Sequence, residues 1–123
     1  MRKQYYFWQS DRGLLAWDVD HLVELSANLP RKLVSLSTIH ELDENFFGDD
    51  ESQTWRTMLA HLRLIAAADL SYPIILSASG AVMDGMHRVC KAALEGRTEI
   101  QAVQFAEDPP PDHVGLGPND LPY

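Results

Sequence analysis

Gly85, Met86, His87 and Arg88 stand in a row, with Lys91 one helical turn further on, where an apolar stretch gives way to helical spacing. A helix N-terminus exposes unpaired N–H groups and carries roughly half a positive charge, so acidic residues usually occupy its first turn. Here the first turn is basic and Gly85 leaves the backbone bare. A bound anion such as phosphate would compensate both features. The alternative is a solvated helix start with a salt bridge to Asp84 or to the acidic residues upstream, and Asp84 has an equal claim as a helix cap. Thr54, Arg56, His61 and Arg63 are further candidates to line such a pocket, against the default of an exposed helix face. The five histidines have no short metal-type spacing, so no zinc site is expected.

The elements that must position these residues follow from local pattern. Pro73 to Ser77 predicts an apolar strand, Ala78–Ser79–Gly80 a turn, and Ala81 to Met83 a second short strand. The helix after Gly85 carries Met86, Val89, Cys90, Ala93 and Leu94 as its apolar stripe and stops at Gly96. A last strand runs from Ile100 to Phe105, with imperfect alternation that leaves its buried face undecided. Upstream, Asp18 caps a helix over Val19–Asn28 that Pro30 ends, and Arg31 to Leu36 reads as a strand with Val34 and Leu36 on one face. Ser52 caps the longest helix, Gln53–Ala68, whose Trp55, Met58, Leu59, Leu62, Ile65 and Ala66 recur at threes and fours. Between these, Ser37 to Asp50 is acidic and reads as a short turn or helix followed by a solvated loop. Residues 1–17 form an aromatic arm (Tyr5, Tyr6, Phe7, Trp8) read as an edge strand over the core, and residues 106–123 an extended Pro/Gly-rich tail.

The 123 residues suffice for one domain with its own core. Net charge is −8, which argues against direct nucleic-acid binding, an affinity built largely on phosphate neutralisation. A local basic pocket for a small anion remains compatible with it. No apolar run reaches the roughly 20 residues that cross a bilayer, and the N-terminus lacks the pattern of a signal peptide. The lone Cys90 excludes an internal disulfide and fits a reducing, cytoplasmic setting.

The run Pro73-Ile74-Ile75-Leu76, then Gly80-Ala81-Val82-Met83-Asp84-Gly85-Met86-His87-Arg88, then Ala92 to Gly96 and Ile100, resembles the core of the ParB/sulfiredoxin superfamily over Pro73–Phe105. Loosely, the likeness extends back to Leu33–Leu36 and Ile39. It implies a small mixed sheet flanked by helices, an α+β domain spanning residues 1–123. It also implies that Gly85, Met86, His87, Arg88 and Lys91 hold the phosphates of ATP, ADP or CTP, with Mg²⁺ where phosphoryl groups move. Met86 stands where sulfiredoxins carry their reactive cysteine, and Cys90 falls on the apolar stripe, so sulfinate repair is not expected. Met86 and His87 also replace the residues of the chromosome-partitioning branch, and no helix-turn-helix domain accompanies them. In the kinase branch an acidic residue after the first strand acts as base. By that resemblance Glu41 or Glu44 is the catalytic carboxylate, beside a basic phosphate clamp. The expectation is a nucleoside-phosphate-binding domain with phosphoryl transfer or hydrolysis left open. The rival is a non-catalytic protein-interaction module with the same fold, or recognition of another anion. A homodimer is compatible with either.

Overall fold

The computed structural model describes residues 3–45 and 53–123. The loop expected at 46–50 and the Ser52 cap lie outside the described residues. The architecture is α+β, with two small sheets and three α-helices among the described residues. Strands β1 (Tyr5–Ser10) and β2 (Gly13–Asp18) form an antiparallel hairpin, and β7 (His113–Val114) adds to the far side of β2. The larger sheet has the order β3-β6-β4-β5, from β3 (Lys32–Ser35), β4 (Ile74–Leu76), β5 (Val82–Asp84) and β6 (Glu99–Gln104). Only β4 and β6 run parallel. Parallel neighbours require a crossover, supplied here by α3 (Met86–Leu94).

Two-residue alternation on β4 and β6 divides the core. Ile74, Leu76, Ile100 and Ala102 face one way, onto Val89 and Ala92 of α3 and onto Leu36 and Ile39. Ile75 and Val103 face the other way with Phe105, onto Leu15 and Trp17 of β2 and Leu22 of α1 (Val19–Ser26). The imperfect pattern of β6 now has a cause. Its second face is covered only toward the C-terminal end, so Glu99 and Gln101 are exposed whereas Val103 is buried. Leu22, Ile74 and Val89 are the largest fully enclosed side chains.

Several elements differ from the sequence expectation. Asp18 does cap α1, accepting from the Asp20 amide at 3.0 Å, but the helix ends at Ser26. Helix α2 (Trp55–Ala67) is capped by Thr54, whose hydroxyl accepts from the Thr57 amide while the Thr57 hydroxyl accepts from the Thr54 amide. Most of its apolar stripe stays outside: no residue of α2 is buried, Trp55 is 84% exposed, Leu59 and Leu62 are exposed too, and only Met58 and Ile65 are half-buried. On α3 the inward face is Met86, Val89 and Ala92, not the wider stripe expected. Spacing of three and six turns that face slightly, leaving Ala93 and Leu94 outside and Cys90 half-buried.

The tail is tied down. Its Asp112 and Gly115 amides donate to the Ala16 and Leu14 carbonyls, and Leu121 is buried. The Trp17 indole donates to the Pro109 carbonyl at 2.8 Å, and the Tyr5 hydroxyl donates to the Pro122 carbonyl. The arm and the tail are therefore two parts of one sheet system. Proline-rich composition hid this, because two residues of ladder suffice to fix the tail and such a short strand leaves no periodic signal. Among the described residues, no helix is long and apolar enough to cross a membrane.

Candidate functional site

Gly85 sits at the junction of β5 and α3 with φ +110°, a left-handed conformation that other residues rarely adopt. A side chain there would meet Ile74 Cγ2 at 2.7 Å and Arg88 Nη2 at 2.8 Å. Glycine is thus demanded twice, by backbone angle and by close approach. Among the described residues, no side chain caps the N-terminus of α3. That N-terminus opens on a cleft of 380 Å³ lined by Tyr5, Phe7, Val82, Asp84, Met86 and His87, among others.

The basic residues do not converge on this cleft. Arg88 folds back over Gly85 and donates from Nη2 to Asp84 Oδ2 at 2.9 Å; both side chains are about four-fifths buried (17% and 21% exposed). Arg88 and Asp84 also line a separate 260 Å³ cleft under α1, together with Arg31 and Tyr72. Lys91 Nζ donates to the Ala66 and Ala68 carbonyls at 3.0 and 2.7 Å, where α2 ends. A cation there complements the negative helix terminus. His87 meets His61 of α2, Nε2 to Nδ1, at 3.2 Å. Burial lowers the His87 pKa, with a smaller push from His61 that Asp84 partly opposes. At neutral pH His87 is therefore uncharged. Basic chemistry on α3 serves in large part to hold α2, whose own apolar face is unburied. Of the further candidates only His61 comes to α3; Arg56 and Arg63 lie on exposed positions of α2, as does Thr54 at its cap.

Glu41 and Glu44 sit at the other end of the same surface. Both line a 400 Å³ cleft with Tyr6, Trp8, His40 and Val82. Tyr6, Phe7 and Val82 line this cleft and the one at α3, so the two form one groove between the edge strands β1 and β5. Glu41 lies in a 3₁₀ turn (His40–Asp43), and its Oε2 accepts from the Val82 amide at 2.6 Å. The carboxylate thereby occupies the edge of β5 as a neighbouring strand would. Its other oxygen, Oε1, is buried with no hydrogen-bond partner among the described residues. The structure therefore brings Glu41, Glu44, Gly85, Met86 and His87 onto one groove and places Arg88 and Lys91 elsewhere.

Sequence reading missed β1 as a wall of this groove. The signal was present in Tyr6 and Trp8, two apart and so on one strand face. Cys90 is half-buried and burial pushes its thiol pKa up, away from nucleophilic character. Among the described residues there is no group of three or more His, Cys, Asp or Glu side chains able to hold a metal ion. No family model, curated protein or solved structure matches the chain.

Proposed function

We propose that the chain binds a nucleoside phosphate, with the phosphates against the first turn of α3 and the rest of the ligand along the groove toward Glu41. The observation that carries this reading is the uncapped α3 terminus, Met86 to Arg88, opening on a cleft directly after a glycine that leaves the backbone bare. In this reading the anion is met by backbone N–H groups and the helix dipole. Arg88 and Lys91 keep their internal partners. ATP, ADP and CTP are the candidate ligands, with Mg²⁺ offsetting the repulsion between phosphates and the two glutamates. Glu44, exposed and facing the groove, is the better placed of the pair to orient a phosphoryl acceptor, since Glu41 is engaged by Val82. The succession β4, β5, Gly85-Met86-His87-Arg88, α3 and β6 supports the ParB/sulfiredoxin-like reading of the fold.

A second reading, a non-catalytic interaction module, draws on the exposed Trp55, Leu59 and Leu62 of α2. Thermal unfolding with ATP, ADP or CTP, each with and without Mg²⁺, separates the two. At about 100-fold saturation a bound ligand adds roughly 2.7 kcal/mol. The phosphate reading expects such a rise with at least one nucleotide. No rise with any of them leaves the interaction module.

A further inference from the structure

We propose that the cleft between β1 and the His40–Asp43 turn is a binding site for a primary alkylammonium group. This inference concerns the glutamate end of the groove and does not depend on phosphate binding at α3. Three observations lead to it.

First, aromatic rings and carboxylates share one concave surface: Tyr6 and Trp8 from one face of β1, and Glu41 and Glu44 from the turn opposite, enclose 400 Å³. Trp8 is 55% exposed, a large ring left open on a cleft wall. Faces of Trp and Tyr attract cations, and carboxylates complete the recognition.

Second, Glu41 has a vacancy for a donor. Its Oε2 is satisfied by Val82, but Oε1 is buried and has no hydrogen-bond partner among the described residues. Buried carboxylate oxygens without donors are costly, and an N⁺–H is the strongest available partner.

Third, the surroundings are negative. Burial raises the Tyr6 pKa, and the nearby Glu41, Asp108 and Glu44 raise it further. Asp108 borders the adjoining cleft and accepts from the Ala78 amide at 2.7 Å. An anion is disfavoured here.

The three combine to select the ligand class. A quaternary ammonium has no N–H to give Oε1. A primary ammonium carries three donors on a point charge and can serve both glutamates while its alkyl stem lies on the rings. Two sources present that chemistry: a free amine, and a lysine side chain of another protein.

The test is a ¹H–¹⁵N titration of the full chain at constant ionic strength with three probes: butylammonium chloride, Nα-acetyl-lysine amide, and the neutral Nα,Nε-diacetyl-lysine amide. Saturable shifts are expected at Tyr6, Trp8 including its indole, Glu41 and Val82 with the two cations and not with the neutral probe. Glu41→Gln should weaken binding by about tenfold, the loss of one charge-assisted contact. Trp8→Ala tests the ring independently, should Glu41→Gln disturb the turn, and should weaken binding by about fivefold. Tighter binding of the lysine derivative assigns the site to a protein partner, and equal binding assigns it to small amines. Absence of saturable shifts, equal response to the neutral probe, or unchanged affinity in both variants overturns the proposal.

Discussion

Arg88 Nη2 lies 2.9 Å from Asp84 Oδ2, four residues back across the left-handed Gly85. The guanidinium thus belts the β5–α3 junction, where a phosphate ligand was expected from sequence. An exposed pair contributes little and a fully buried one can lose several kcal/mol when broken; this pair lies between. Arg88→Ala should therefore cost about 1–3 kcal/mol by urea denaturation. Stabilisation by nucleotide should survive the substitution, because backbone amides carry the contact. A variant that folds as well as the parent yet no longer responds to nucleotide would show Arg88 reaching the ligand instead.

Gly85→Ala places a Cβ 2.7 Å from Ile74 Cγ2 on a backbone at φ +110°. Strain and overpacking add, so a loss on the order of 3 kcal/mol is expected in chemical denaturation. A change below about 0.5 kcal/mol, the range of ordinary surface substitutions, would mean that the junction is not packed this way.

His87 makes stability depend on pH in a defined direction. Its folded pKa is lowered, chiefly by burial, so the folded state binds fewer protons than the unfolded chain. The stabilisation from neutral His87 is complete above the unfolded value of about 6.5 and is lost as pH falls through and below it. Comparing urea midpoints above and below that value, the parent should lose more stability on acidification than His87→Gln. Equal pH dependence would remove His87 as the source.

Trp17 tests whether the tail belongs to the fold. Its indole donates to the Pro109 carbonyl and its ring is 6% exposed in the second core cluster. Trp17→Phe keeps an aromatic ring, loses the hydrogen bond and should cost about 1–3 kcal/mol. Removal of residues 109–123, with β7 and buried Leu121, should destabilise the chain further. A truncated chain with unchanged unfolding would return the tail to the role of a detached linker.

Much of this was legible in the chain. The central β4–turn–β5–α3–β6 run, the Asp18 cap and the Gly96 stop were carried by local rules: apolar runs, capping and left-handed helix ends. Val34 and Leu36 do pack on one core cluster, although β3 ends at Ser35 and Leu36 opens a 3₁₀ turn. Three things were not. Helical spacing showed that α2 forms a helix with one apolar stripe, but spacing cannot reveal that much of the stripe remains outside, as Trp55, Leu59 and Leu62 do. Charge type placed His87, Arg88 and Lys91 near a helix terminus and offered Asp84 as the alternative partner, which Arg88 takes; that Lys91 reaches the end of α2 was not legible. Long flexible cations find partners several residues away, which sequence proximity does not encode. Finally, the groove has one wall from residues 6–8 and another from residues 41–44 and 82. Its assembly depends on long-range contacts across the two sheets.

The most direct test of phosphate binding follows the Met86, His87 and Arg88 amides in ¹H–¹⁵N spectra as Mg²⁺-ADP, Mg²⁺-ATP or Mg²⁺-CTP is added to the parent and to His87→Asp. Asp at this position repels an anion, and the helix dipole offsets part of the cost of burying its charge; the dispersion of the variant's spectrum checks that the fold is kept. With at least one nucleotide, the three parent amides should shift together and saturate, and those shifts should vanish in His87→Asp. If no nucleotide moves them, or if they move equally in His87→Asp, phosphate does not bind at α3.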